Sequence, residues 1–242
     1  MLYKKFISPS VSLIIMGALV IGFSAVRALG VLGPSSLRWV LPLSFCVMAI
    51  LPWALLTANG RRQIGLQRPD MASRYILAIV TGTGAALLCF ALGYLLFGKA
   101  VDNWFVNIGN SYKAMMDTSA MSFWMLSLIF TIPAMLFSPI GEEIFYRGQL
   151  QKTLEQTFSI NTSTVIECTL FALIHQVHHG IIKTESGLTY LPLSGALWFV
   201  LMFLVAWMFA WLRASSGSIY IGILSHMVFN IAMNTCIFLF LW

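Results

Sequence analysis

The chain reads as a succession of long apolar runs separated by short polar or Gly/Pro-containing breaks. The runs lie at approximately 10–29, 37–58, 75–97, 121–150, 162–179, 194–213 and 219–241. Most reach the ~20 residues that a helix needs to cross a hydrocarbon core. The intervening breakers are Gly33-Pro34, Asn59-Gly60, Gly98, Pro192 and Ser215-Ser216-Gly217, all residues that end helices or open turns. Residues 101–117 are too short and too polar to span. There Phe105, Ile108, Tyr112 and Met115 recur at helical spacing, which predicts a helix lying at the interface. The pattern predicts an all-α polytopic membrane protein of about seven transmembrane helices, forming a single membrane-embedded domain over residues 1–242.

Composition agrees. Hydrophobic residues make up 59% of the chain and charged residues 9%, against roughly 25% charged in a soluble domain; the mean hydropathy is +0.87. A net charge of +6 could suggest a nucleic-acid partner. The basic residues stand singly or in pairs at the ends of apolar runs, however, without a stripe, so nucleic acid is excluded as a partner. Their placement instead reports orientation. With the N-terminus inside, Lys4, Lys5, Arg61, Arg62, Arg68, Arg74, Lys152 and Arg213 fall on the inner side. Arg38, Lys99, Lys113 and Lys183 fall on the outer side, which predicts N-in and C-out. Lys4 and Lys5 before the apolar stretch Val11–Ala25 resemble a signal peptide, but the stretch runs past Arg27 without a small-x-small site, so an uncleaved first helix is expected. Cys46, Cys89, Cys168 and Cys236 lie in separate apolar runs without CxxC spacing, and read as small buried residues.

Ionisable groups are costly in a bilayer and mark function where they occur. All four His and all five Glu follow residue 141, whereas Asp70 and Asp102 fall in loops. The densest group is Glu142-Glu143-Ile144-Phe145-Tyr146-Arg147-Gly148. Neighbours on a helix point about 100° apart, so the two glutamates face different surroundings. Glu143 and Arg147, four apart, are placed to pair; Glu142 is left without a partner, as a catalytic base would be. His175 lies in an apolar run four residues after Phe171, and His226 lies four before Asn230. Polar groups from three helices can satisfy one another only by converging. At about 1.5 Å per residue, His175 is ~20 Å into its helix and His226 ~10 Å, a mismatch that tilts or a water-filled cavity must absorb. His178 and His179 are expected at the interface; His179, four after His175, is the one of the two placed to reach the cavity.

Taken together, Glu142-Glu143-x-x-x-Arg147, Phe171-x-x-x-His175 and His226-x-x-x-Asn230, with Pro139 and Gly148 flanking the first, resemble the three motifs of the CAAX prenyl protease and bacteriocin-processing (Abi) family. The resemblance covers roughly residues 121–235, in order and without departure at a motif position. It implies a glutamate-dependent intramembrane endopeptidase of the prokaryotic plasma (inner) membrane, with helices at 1–120 preceding a catalytic core at 121–242. Carried onto this chain, Glu142 and His175 would activate water, and His226 and Asn230 would stabilise the oxyanion. Glu143 and Arg147 would hold the site in shape. The expected partners are a membrane-associated peptide or protein substrate and the lipid bilayer, and no cofactor or metal is expected. The competing readings are a zinc protease using Glu142, His175 and His226, a non-enzymatic immunity or scaffold protein of the same family, and a transporter or proton relay. A cysteine protease would need Cys168, two turns and about 10 Å from His175, which is out of hydrogen-bonding reach.

Overall fold

The computed structural model describes residues 2–3, 8–115, 121–184 and 187–242. Each apolar run forms a helix because, away from water, the backbone must satisfy its own polar groups. The elements are α1 (Pro9–Leu32), α2 (Val40–Leu55), α3 (Ala58–Gln63), α4 (Ser73–Phe97), α5 (Trp104–Lys113) and α6 (Phe123–Glu142). A π-helical stretch, Glu143–Leu150, leads from α6 into α7 (Gln151–Leu154). Then follow α8 (Ile160–Ile174), a hairpin of β1 (Ile181–Thr184) and β2 (Gly187–Tyr190), α9 (Pro192–Ser216) and α10 (Ile219–Cys236). Ser8, Thr57, Ser122, Ser159 and Ser218 cap their helices by accepting from first-turn N–H groups.

Six helical segments of the described residues are long and apolar enough to cross a membrane. The seventh expected span, 162–179, is shorter than its apolar run suggests. α8 has 15 residues, about 22 Å of helix against a hydrocarbon core of ~30 Å. It stops at Ile174 and tightens into a 3₁₀ turn over His175–Val177. α8 still carries the chain from the end of α7 towards the opposite side, so the alternation of directions is kept. Two sets of contacts define the ends of the bundle. At one end Tyr3 Oη bonds Thr153 Oγ1 at 2.5 Å, Arg213 donates to Gln63 O at 3.0 Å and Ile219 N to Gly65 O at 2.8 Å. At the other, Arg38 donates to Ser111 O at 3.1 Å and Asn107 to His178 O at 2.9 Å.

The all-α expectation holds for the bundle, with one short addition: β1 and β2 pair antiparallel from Ile181↔Tyr190 to Thr184↔Gly187, beyond the 3₁₀ turn. Gly180, at φ 104°, makes the turn into the hairpin. The helix expected at the interface is α5, whose Trp104, Phe105, Ile108 and Gly109 are buried in the protein. Trp104 stacks on Trp198 of α9 at 5.8 Å and meets Phe97 of α4 edge-on at 5.9 Å, a protein surface that a sequence pattern cannot distinguish from lipid.

α10 packs against α4, α6 and α9, and close approach depends on missing side chains. A Cβ on Gly82 of α4 would come within 2.2 Å of Ser225 O in α10, and one on Gly141 of α6 within 2.5 Å of Phe45 O in α2, whereas one on Gly84 would meet nothing within 4 Å. Gly82→Ala is therefore expected to destabilise the protein by about 1–3 kcal/mol while Gly84→Ala leaves it unchanged. Thermal unfolding of the two variants in detergent measures this, and equal midpoints would remove the close-contact argument.

Orientation follows from charge. Among the described residues, Arg61, Arg62, Arg68, Arg74, Lys152 and Arg213 belong to the Tyr3 end, and Arg38, Lys99, Lys113 and Lys183 to the other; Lys4 and Lys5 lie outside the described residues. The Tyr3 end is expected inside, so a reporter fused after Trp242 should be active outside. Cytoplasmic activity there would invert the assignment.

Candidate active site

Pro133 and Pro139 interrupt the hydrogen-bond ladder of α6, and the π-helical stretch begins immediately after Glu142. Such wide turns recur at functional sites. Here the turn carries Glu142 and Glu143 into two separate polar networks, both inside the bundle.

The first network surrounds Glu142, which is fully buried and not unpaired as the spacing implies. Arg27 of α1 donates from Nη1 to Glu142 Oε1 at 2.5 Å, and Ser138 donates to the same oxygen at 3.1 Å. His175 Nε2 lies 3.8 Å from Glu142 Oε2, an oxygen with no hydrogen-bond partner. The other ring nitrogen, His175 Nδ1, is 2.6 Å from Phe171 O. A carbonyl can only accept, so Nδ1 carries the proton and Nε2 presents its lone pair towards Glu142 and Arg27. Arg27 Nη2 is 3.2 Å from that lone pair, and Arg27 Nε donates to His178 Nε2 at 3.0 Å.

His178, rather than His179, thus joins the site. The reason is the 3₁₀ turn: with three residues per turn, position i+3 rather than i+4 comes under His175, and the two rings are 5.9 Å apart. His179 turns away and is buried between Trp104 and Trp198, at 6.1 and 6.3 Å.

The second network surrounds Glu143. Its Oε1 lies 3.2 Å from Arg147 Nη1 and 2.9 Å from His226 Nδ1. Arg147 also approaches Glu167 of α8, Nε to Oε1 at 3.4 Å, and its guanidinium stacks over the Phe171 ring at 3.9 Å. Glu143, Arg147 and Glu167 are all sealed from solvent. Cys168 donates to Glu167 at 3.4 Å and is not in hydrogen-bonding contact with His175. Asn230, one turn after His226, donates to Ala134 O of α6 at 2.8 Å and so ties α10 to the helix that carries both glutamates.

The depth mismatch between the two histidines is resolved by division: His175 takes Glu142 and His226 takes Glu143. Phe171 separates them, with its ring 4.1 Å from His175 and 6.2 Å from His226. Both networks border one cavity of about 400 Å³, lined by Arg27, Ser138, His175, His178, His226 and Asn230 and by apolar side chains including Phe45, Phe130, Phe137 and Met202. Glu142 itself does not line it; Arg27 and Ser138 stand in front. The three-ligand zinc arrangement does not form here. His226 Nδ1 is turned to Glu143, a guanidinium occupies the space beside Glu142 and His175, and among the described residues no three His, Cys, Asp or Glu side chains converge as a metal-binding group.

Arg27, Glu167 and His178 were missed by motif spacing. The first two did carry a signal, since each is the one charged residue in its helix, α1 or α8, and a lone intramembrane charge marks a polar partner.

The two networks differ in enclosure, and that sets the cost of breaking them. Glu143→Gln leaves Arg147, sealed from water, short of a carboxylate, and is expected to cost about 3–5 kcal/mol. Glu142→Gln leaves Arg27 at the cavity wall with His178 and the new amide oxygen as acceptors, and is expected to cost less. Thermal midpoints of the purified variants give the order, and a less stable Glu142→Gln would show that the cavity does not relieve Arg27.

Residues 123–232 match the family model described as Rce1-like: Type II CAAX prenyl endopeptidase Rce1-like. The matched segment runs from the first residue of α6 into α10 and contains both glutamates, Arg147, Glu167, His175, His226 and Asn230, but not Arg27. No curated protein and no solved structure matches the chain. Through residues 123–232, the core of this polytopic membrane protein has the signature of the Rce1-like type II CAAX prenyl endopeptidase family, the protease family that its three motifs resemble.

Proposed function

We propose that this chain is an intramembrane endopeptidase of the prokaryotic plasma membrane that cleaves a membrane-associated peptide or protein with a Glu142/His175-activated water. The observation that carries this is the free Glu142 Oε2 facing the His175 Nε2 lone pair across 3.8 Å behind the wall of an apolar cavity. A water donating to Glu142 Oε2 at about 2.8 Å fits beside the imidazole, whose Nε2 lone pair meanwhile accepts from Arg27 Nη2. The water oxygen attacks the scissile carbonyl carbon as one proton passes to the Glu142/His175 pair. The tetrahedral oxyanion then collapses, the C–N bond breaks, and the proton passes to the leaving amine. General-base assistance of this kind contributes roughly 10²–10⁴-fold.

His226 and Asn230 are the donors that can meet the oxyanion. With Nδ1–H on the Glu143 carboxylate, His226 offers an Nε2–H donor as the imidazolium, and Asn230 has a second amide hydrogen beyond the one given to Ala134 O. Donors fixed in a water-poor cavity stabilise developing charge more than donors in bulk water do. The apolar lining suits a substrate arriving from the bilayer, with a prenylated C-terminal peptide the class that the family describes.

Glu142→Gln, reconstituted in lipid with a prenylated peptide substrate, is expected to lose cleavage by at least ~100-fold while retaining its fold. Cleavage by the unaltered protein is expected to persist in a metal chelator. Near-normal turnover of Glu142→Gln would favour Glu143-based chemistry, and absence of cleavage by the unaltered protein would favour a scaffold. Loss in chelator that zinc restores would point to a metal hydrolase.

A further inference from the structure

We infer that Arg27, in the first helix and outside the family-matched segment, is a positioning residue for the hydrolysis: it acts through Glu142 and His175 by holding the two acceptors in working geometry. This rests on the reading of the site as a protease.

Three observations support this role. Arg27 uses a different nitrogen for each partner: Nη1 for Glu142 Oε1 at 2.5 Å, Nη2 for His175 Nε2 at 3.2 Å and Nε for His178 Nε2 at 3.0 Å. A guanidinium is planar and rigid, so this fork sets the carboxylate and the imidazole relative to each other; a bridge to Glu142 alone would not. Second, the fork leaves Glu142 Oε2 without a hydrogen bond while occupying Oε1. One oxygen is thereby anchored and the other is free to take a water. Third, Arg27 is the one charged residue of a 24-residue apolar helix. Its place on the cavity wall, beside Phe45 at 5.6 Å, puts a permanent positive charge next to the reacting groups. A helix held in the bundle only by packing has no use for that charge. In chemical terms the catalytic unit begins in α1, before the motif-bearing helices.

A purely structural salt bridge and a positioning residue differ in what their loss does to kcat and KM. Arg27→Gln and Arg27→Lys are purified beside the unaltered protein, their thermal midpoints are compared, and cleavage of a prenylated peptide is followed in lipid vesicles. Arg27→Gln is expected to lose about 100-fold or more in kcat with KM within about twofold, and Arg27→Lys, which keeps the charge but not the fork, to recover about tenfold of that loss. Wild-type kcat in Arg27→Gln, increased activity, a loss confined to KM, or a folded Arg27→Lys no better than a folded Arg27→Gln would each overturn the inference. If Arg27→Gln does not fold, Arg27→Lys decides alone: reduced kcat at constant KM supports positioning, and unchanged kcat defeats it. Failure of the protease reading looks different, because the unaltered protein then cleaves nothing and the inference falls with it.

Discussion

The interior of this protein depends on burying charges only where opposite charges and hydrogen bonds meet them. A single uncompensated ion in a low-dielectric interior costs several kcal/mol, so Glu142, Glu143, Arg147 and Glu167 each require a partner within the bundle. The partners come from different helices. Arg27 reaches in from α1, Glu167 from α8, His175 from the 3₁₀ turn that follows it, and His226 from α10. The helices are therefore joined by electrostatics inside the bundle, while small residues such as Gly82 and Gly141 let their backbones approach elsewhere. Without the hydrophobic effect to drive helices together inside lipid, these are the forces available.

The same constraint separates roles between adjacent glutamates. Glu143 and Arg147 are sealed from solvent with His226 beside them, an enclosure that suits the supporting task proposed for Glu143. Glu142 has one oxygen anchored and one without a hydrogen-bond partner, with an imidazole opposite, behind the wall of an apolar cavity. Phe171 links the two halves. Its carbonyl fixes the tautomer of His175, its ring lies between the two histidines, and its face receives Arg147. One aromatic residue thus orients the proposed base pair and packs against the group that supports the proposed oxyanion site.

Long apolar runs were enough to establish a polytopic helical membrane protein, because backbone hydrogen bonding in lipid leaves helices as the answer for such runs. The three polar motifs were equally visible, since an ionisable residue in an apolar run stands out by its cost, and the i,i+4 pairing of Glu143 with Arg147 followed from local helix geometry alone. What depends on distant parts of the chain was decided only by the tertiary structure. Arg27 meets Glu142 across 115 positions, and no local spacing encodes that contact. The end of α8 at Ile174, the 3₁₀ turn that substitutes His178 for His179, the hairpin beyond it and the burial of α5 against Trp198 follow from how neighbouring elements pack. Sequence periodicity reports which face of a helix is apolar; it does not report whether lipid, an aromatic ring or another helix covers that face, because all three present the same low polarity to the chain.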